Sequence, residues 1–390
     1  MTPAARLQAA AEILDEVIAA ARDDGPPADA VVTRYFKTRR YAGSGDRRAV
    51  RELVFRAIRR SAEIPADGRA AMLGLADDDP ELGALFGEVR GPEARTDGER
   101  GADATIVPQW LESEFSPLVA TAEWPALLER APLDLRVNAA RAKRDDLLDN
   151  FPGAEPTPLS PWGLRLPADG RLDDHPAITG GLAEVQDEGS QLIALACTPR
   201  DGDLLVDLCA GAGGKALALA AAAPGARILA TDSNRARLSK LGPRAARAGA
   251  TIDTLLLNPP NELEALAEWH NASDLVLVDA PCSGSGTWRR NPDGRWRLTP
   301  ERLERLLAAQ ARLLHLGAAL VKPGGRLVYA VCSLLTREGA GQAAAFLDRH
   351  SSWVFEETPI RAGRSDGVGR LLTPAHDATD GFFVARLVRP

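Results

Sequence analysis

Apolar residues recur at helical spacing along the first sixty positions. Leu7, Ala10, Leu14, Val17 and Ile18 form one stripe, and Val50, Leu53, Val54, Ala57 and Ile58 form another, as amphipathic helices require. Between them, Arg39-Arg40-Tyr41-Ala42-Gly43-Ser44-Gly45-Asp46 reads as a loop, with Asp46 as the cap of the following helix. Residues 76–105 are rich in Asp, Glu, Gly and Pro and read as a mobile, solvated stretch leading out of the first domain. Leu133-Asp134-Leu135-Arg136-Val137-Asn138 alternates as a strand does. It opens a small α+β unit over 133–182, punctuated by Pro152, Pro156, Pro158 and Pro161. From about residue 185, short apolar runs alternate with helical segments, the pattern of a parallel sheet with covering helices. Strands are predicted over 204–208, 227–231, 254–257, 275–278 and 326–331, with a long helix over 300–321. A last strand over 381–388 is predicted antiparallel, at the sheet edge. No internal repeat is visible.

A chain of 390 residues suggests two or three domains. Its 45% hydrophobic and 26% charged composition is that of a soluble globular protein. No run approaches the roughly 20 apolar residues of a membrane span. The first twenty residues contain Arg6, Glu12, Asp15 and Glu16 and lack the basic-then-apolar order of a signal peptide, so a cytoplasmic location is expected. Cys197, Cys209, Cys282 and Cys332 form no CxxC pair, and there are only five histidines. Neither a metal site nor a disulfide framework is expected. The net charge of −7 is unevenly spread. Residues 31–60 carry ten Arg or Lys against Asp46 and Glu52, whereas residues 61–103 carry eleven acids against four arginines. The basic stretch suits RNA contact; a solvated helix face is the other reading.

The first candidate for chemistry is a glycine-rich loop. The strand Leu204-Leu205-Val206-Asp207-Leu208 runs into Cys209-Ala210-Gly211-Ala212-Gly213-Gly214-Lys215, and an Ala/Leu-rich helix follows. Glycines let backbone turn tightly and approach a ligand, and the helix start offers free N–H groups. Asp232 follows Gly211 by 21 residues at the end of the next strand, where a carboxylate accepts both ribose hydroxyls of a nucleoside. The loop also satisfies the dinucleotide pattern, so on its own it suits a methyltransferase and a nicotinamide enzyme alike. No Gly-Lys-Ser/Thr follows, which excludes a P-loop.

Two further segments separate those readings. Leu275-Val276-Leu277-Val278-Asp279-Ala280-Pro281-Cys282-Ser283-Gly284-Ser285-Gly286-Thr287 delivers an acid and then a cysteine into a Gly/Ser loop. Leu327-Val328-Tyr329-Ala330-Val331-Cys332-Ser333-Leu334 places a second cysteine at a strand end. Ligands of open α/β sheets bind at that edge. Trp288-Arg289-Arg290 and Arg295-Trp296-Arg297 interleave aromatic and basic residues, which suits phosphate contact with base stacking, or a solvated loop with Trp packed under it.

With these pieces the sequence resembles the RsmB/Sun family of RNA cytosine-5 methyltransferases. The resemblance rests on Asp207–Lys215, Asp232, Asp279–Gly286, Trp288–Asp293, Cys332-Ser333-Leu334, Val185–Gln191 and Asp380–Arg386. It covers about residues 133–390. Residues 1–60, with Asp46-Arg47-Arg48 and Glu52-Leu53-Val54, are similar to the NusB-like helical domain of the RsmB branch. The implied fold is α/β: a class I (Rossmann-like) S-adenosylmethionine methyltransferase domain at 185–390, preceded by an RNA-positioning α+β unit at 126–184 and an all-α NusB-like RNA-binding domain at 1–125. The implied reaction is methyl transfer to carbon 5 of a cytosine in RNA, with small-subunit ribosomal RNA as substrate and S-adenosyl-L-methionine as cofactor. The expected molecule is a monomer with no metal and no membrane partner.

The resemblance also assigns roles. A thiolate adding at carbon 6 makes carbon 5 nucleophilic enough to take a methyl group, which is covalent catalysis. Cys332 corresponds to that nucleophile and Cys282 to the cysteine that aids release. Spacing does not distinguish the two, and DNA cytosine-5 enzymes place the nucleophile in the Pro-Cys loop. Asp279 would hold the base edge and Lys215 would orient substrate or cofactor. Cofactor contacts are expected from Cys209, Ala210, Gly211, Ala212, Gly213, Gly214, Lys215, Asp232, Asn258 and Asp279. The sequence departs from the family pattern at Val331, where Thr or Ser is usual, and at Arg337-Glu338-Gly339, where a Glu-Glu-Asn run is usual. It also has Asn258 in place of Asp and Ala212 where many relatives have Pro. A catalytically silent RNA-binding paralogue, a DNA cytosine-5 methyltransferase and a nicotinamide oxidoreductase are the alternatives.

Overall fold

The computed structural model describes residues 1–167, 172 and 174–390. The chain divides into two compact units. One contains Met1–Ser113, Trp124–Glu129 and Trp288–Thr299; the other contains Glu114–Glu123, Arg130–Thr287 and Pro300–Pro390.

The first unit is helical. Its main helices are α1 (Pro3–Arg22), α2 (Ala28–Thr38), α3 (Ser44–Arg60) and α4 (Gly68–Asp77). Thr2 caps α1 by accepting from the Ala5 N–H at 3.2 Å, and Pro3 opens the first turn, where its missing N–H costs nothing. The stripe Leu7, Leu14, Val17 and Ile18 packs with Val31, Val54, Ile58 and Met72 into one buried cluster. Asp46 is not the cap of α3. Gly43 occupies that position, and the Asp46 carboxylate in the first turn accepts from Arg6 Nε at 2.9 Å.

The acidic stretch 76–105 is not the loose connection expected from its composition. Arg69 pairs with Glu99 at 2.6 Å and Arg95 with Asp77 at 2.6 Å. The Ala102 and Thr105 N–H groups donate to the carbonyls of Ala70 and Arg60, each at 2.9 Å. The segment is largely exposed, as its charge density implies, but Asp77, Asp78, Asp79 and Glu99 have arginine partners within the same unit.

Residues 288–299 also belong to this unit, so Trp296 and Arg295 are core rather than a stacking platform. Trp288 and Trp296 are 1% and 2% exposed. The Trp296 indole donates to the Ser61 carbonyl at 2.8 Å. The buried Arg295 guanidinium donates to the carbonyls of Ile106 at 2.7 Å, Arg59 at 3.2 Å and Ile58. Ile58 and Arg59 lie in the last turn of α3, whose carbonyls have no helical partner and carry the negative end of the helix dipole. A guanidinium is therefore favoured there, although burial and the charge of Arg59 push its pKa down to about 9.

The second unit contains two sheets. The smaller is antiparallel, with β1 (Leu133–Val137), β2 (Glu155–Pro156), β3 (Gly163–Leu166) and β4 (Ala183–Val185) in the order β2-β3-β1-β4. The larger contains β5 (Leu204–Asp207), β6 (Arg227–Asp232), β7 (Asp253–Leu256), β8 (Ser273–Asp279), β9 (Val321–Val331), β10 (Val354–Glu356), β11 (Arg364–Asp366), β12 (Gly369–Leu372) and β13 (Phe382–Val388). Their order is β11-β12-β13-β9-β8-β5-β6-β7, and β10 also pairs with β13. Strands β5 to β9 are parallel and β13 runs antiparallel to β9.

The last strand is thus antiparallel as expected but does not form the edge, because the β11–β12 hairpin pairs along its far side. Six of its seven residues are buried, the near-continuous burial of an interior strand. The helix Pro300–Leu320 leads into β9. The core between sheet and helices gathers Leu205, Leu275, Leu277, Val328 and Val384 with Leu192 and Ile193 of the helix Glu188–Cys197. This is the Rossmann-like α/β arrangement. It brings the carboxyl ends of β5 to β9 to one edge.

Candidate active site

Every expected site residue lies at that edge. The loop 208–214 follows β5, Asp232 ends β6, Asn258 follows β7, Asp279 ends β8, and Cys332 follows β9. The glycines of the first loop are needed for two reasons. Gly211 and Gly213 have φ of +56° and +84°, a region that residues with a Cβ rarely adopt. A Cβ on Gly213 would also stand 2.1 Å from Leu241 Cδ1. A Cβ on Gly211 would instead enter open space, with the Asp232 carboxylate as its nearest neighbour at 4.0 Å.

That space is the test of fit for a nucleoside cofactor. It is bounded by backbone and by a carboxylate only 3% exposed. Asp232 Oδ2 accepts the Gly211 N–H at 2.9 Å, and Oδ1 accepts Asn234 N–H at 2.6 Å and Arg237 Nη2 at 3.0 Å. Each carboxylate oxygen has two acceptor sites, so Oδ2 keeps capacity for a hydroxyl. The residues present therefore fit a nucleoside group. Two residues not singled out in the sequence support the loop. Arg244 donates to the Ala212 carbonyl at 2.6 Å while paired with Glu184 at 2.7 Å, and Arg237 holds Asp232. Neither belongs to the glycine pattern, and only a helix register following β6 would have pointed to them. Asn258 is exposed, and no side-chain hydrogen bond among the described residues ties it to the rest of the site.

The reactive groups gather beside this cradle. Lys215 Nζ donates to Asp279 Oδ2 at 2.7 Å and lies 5.3 Å from the Phe382 ring centroid. The Cys282 and Cys332 sulfurs are 3.4 Å apart. Burial opposes the Lys215 charge, but Asp279 and then the Cys332 sulfur raise its pKa, so the ammonium persists beside Cys332. The Cys282 thiol is pushed well above its ordinary range by its hydrogen bond to Cys332, by burial, and by the charges of Cys332 and Glu338. Cys209 is likewise held up, by burial and by Asp207, Asp279 and Asp232. Cys197 is fully buried and bonded to the Ile193 carbonyl, as a core thiol is.

Asp207 is the residue whose importance the sequence hid. It is fully buried, neither carboxylate oxygen has a hydrogen-bond partner of normal geometry among the described residues, and its pKa is raised to about 7. Burial is the main cause and the Asp279 charge the second; Lys215 and the Cys209 and Ala216 N–H groups oppose them. Among the described residues no group of three or more His, Cys, Asp or Glu is arranged to hold a metal ion. No helix among them is long and apolar enough to cross a membrane.

A family model described as 16S rRNA methyltransferase RsmB/F matches residues 194–388. The ribosomal RNA small subunit methyltransferase B of Salmonella arizonae is 33% identical over 294 residues, which are 72% of this chain and 66% of that protein. The chain thus spans just under two thirds of the length of such curated relatives. The crystal structure of PH0851 superposes with a TM-score of 0.77 at 21% identity and covers 99% of both chains. NSun6 from Pyrococcus horikoshii, solved with SFG, gives a TM-score of 0.64 at 19% identity over 73% of this chain and 98% of its own. These two likenesses establish the fold. With a family model covering the sheet and both cysteine loops, and a relative one third identical, the chain belongs to the RsmB/F family of 16S rRNA methyltransferases.

Proposed function

We propose that this chain transfers a methyl group to carbon 5 of a cytosine in small-subunit ribosomal RNA through a covalent adduct of Cys332 at carbon 6. The observation that carries the reading is the pair of sulfurs 3.4 Å apart, one loop away from the Lys215–Asp279 pair. S-adenosyl-L-methionine, when bound, supplies an electrophilic methyl group. Backbone of Cys209, Ala210, Gly211, Ala212, Gly213 and Gly214 would cradle it, with Asp232 at the ribose and Asn258 at the adenine edge.

The surroundings of Cys282 disfavour its thiolate, and the family resemblance gives the nucleophile's role to Cys332. Addition at carbon 6 makes carbon 5 enamine-like and ready to form the new carbon–carbon bond. Carbon 5 gains the methyl as the methyl carbon's bond to the sulfonium sulfur breaks. The carbon-5 proton then passes to solvent water, the carbon 6–sulfur bond returns its electron pair to Cys332, and the Cys282 thiol aids that release. Asp279 holds the ring nitrogen and amino edge of the base, and Lys215 fixes Asp279. The target cytosine must be unstacked, because a stacked base hides carbon 6. The helical unit is the RNA-binding element, NusB-like in role, with exposed Lys37, Arg40 and Arg48 side chains to meet phosphates.

Tritium release tests the reaction. Ribosomal RNA labelled at carbon 5 of cytosine is incubated with S-adenosyl-L-methionine and with wild type, Cys332→Ala or Cys282→Ala. Release by the wild type and none by Cys332→Ala is expected, with Cys282→Ala accumulating a protein–RNA adduct. Loss confined to Cys282→Ala would reverse the two roles. Cofactor binding without release from any RNA would mark a silent paralogue, and release from DNA in preference to RNA would change the substrate.

A further inference from the structure

Glu338 is a charged residue with no exposure. An ionised carboxylate in such a place is costly unless its acceptor sites are filled. Here they are filled by donors from three parts of the chain. Oε1 accepts the Ser283 N–H at 2.9 Å and the Gln310 amide at 2.9 Å. Oε2 accepts the Ser333 hydroxyl at 2.6 Å and the Ser283 hydroxyl, with the Ser283 N–H at 3.2 Å. Ser283 directly follows Cys282, and Ser333 directly follows Cys332. Gln310, on the helix Pro300–Leu320, also donates to the Pro281 carbonyl at 3.0 Å, immediately before Cys282.

A second layer repeats the connection. Ser285 Oγ lies 3.1 Å from Ser333 Oγ and accepts the Leu334 N–H at 2.9 Å, while the Gly286 N–H reaches the Cys332 carbonyl at 3.1 Å. The Tyr329 hydroxyl donates to the Glu338 carbonyl at 2.6 Å, fixing the residue to β9 itself. A well-packed apolar side chain would fill the same volume without the desolvation cost. What it would lack is a bond to the neighbour of each thiol.

We propose that Glu338 is a positioning residue whose buried carboxylate clamps the Cys282 and Cys332 loops together and thereby sets the separation of the two sulfurs. Its catalytic consequence rests on the two-cysteine reaction proposed above; its geometric consequence does not. The carboxylate's charge also disfavours the Cys282 thiolate, so one group both spaces the thiols and acts on one of them. Gln310 is the outer support, coupling the clamp to the helix behind it.

Phenylarsine oxide, which binds tightly only where two thiols sit side by side, reads the spacing directly in the full chain. Cys282→Ala and Cys332→Ala serve as controls that abolish capture. Glu338→Gln, Glu338→Ala and Glu338→Asp are compared with wild type for arsenical capture, for single-thiol reaction with a maleimide, for cooperative thermal unfolding and for tritium release. Wild type is expected to capture one arsenical. Glu338→Gln is expected to bind it at least about tenfold more weakly, because the second sulfur no longer stands at high effective concentration, while both thiols stay open to maleimide. Its kcat should fall about a hundredfold with KM little changed, as a displacement on the order of 1 Å produces. Glu338→Asp should recover part of both. If Glu338→Ala does not fold, Glu338→Gln decides. Capture equal to wild type in a folded Glu338→Gln protein would overturn the clamp and leave a stabilising role only, and so would absence of capture by the wild type. Wild-type capture without tritium release from any RNA would sink the methyl-transfer reading, and the clamp would stand or fall on the capture series.

Discussion

Replacing Asp207 by Asn should remove one pH-dependent penalty from the protein's stability. The carboxyl is buried beside Asp279, and its pKa is about 7 in the folded chain against 3.8 for an unhindered aspartate. An acid whose folded pKa is raised holds its proton more tightly folded than unfolded. Its penalty to stability is therefore absent below the unfolded value, grows as pH rises, and is complete above about pH 7. With roughly 1.4 kcal/mol for each pH unit of separation, the full penalty is about 4 kcal/mol. About 3 kcal/mol of it develops between roughly pH 4.5 and pH 8.5.

Asn carries no charge to desolvate, but its amide leaves donors unmet at a cost of about 1–3 kcal/mol, which is present at every pH. Urea unfolding of wild type and Asp207→Asn at the two pH values isolates the titration, because the constant cost cancels in the difference. The variant should gain on the wild type by about 3 kcal/mol in going from the acid to the alkaline condition. A gap between the two proteins that is the same at both pH values would falsify the assignment of Asp207 as a carboxyl neutral well into the acid range.

Three other outcomes are expected. Gly213→Ala should lose about 1–3 kcal/mol in urea unfolding, since the loop would need both a strained φ and retreat of Leu241 from a 2.1 Å contact; wild-type stability would mean that the loop shifts freely. Arg295→Met should cost the helical unit about 2–4 kcal/mol by orphaning the carbonyls of Ile58, Arg59 and Ile106. The check is whether its unfolding midpoint falls while the sheet-bearing unit retains cofactor binding. Lys215→Met should lower kcat for tritium release about a hundredfold, because Asp279 loses the ammonium that fixes it at 2.7 Å. A wild-type rate would remove Lys215 from the positioning of Asp279.

Much of the sheet was legible because its signals are local. Strands β5 to β9 are apolar runs bounded by turn residues, and glycines with positive φ stand where the backbone approaches a ligand site. Asp279 and the two cysteines follow such strands, so their arrival at one edge followed from parallel pairing alone. What was hidden depends on partners distant in sequence. The arginines among Trp288–Arg297 look like a nucleic-acid surface until the orphan carbonyls at the end of α3 are known to receive Arg295. The stretch 76–105 looks untethered until Arg69 and Arg95 are seen to hold Glu99 and Asp77. The β11–β12 hairpin carries no clean alternation, so β13 looked like an edge.

The two thiols show the limit most clearly. In sequence each is a cysteine after an apolar strand, followed by serine, and nothing local ranks one above the other. Burial, the Cys332 sulfur 3.4 Å away and the charge of Glu338, 55 residues from the Ser283 that it binds, all disfavour the Cys282 thiolate. No single motif holds these groups. The proposed division of labour between nucleophile and releasing thiol would then be a property of the fold, written in residues that outside it have no visible connection.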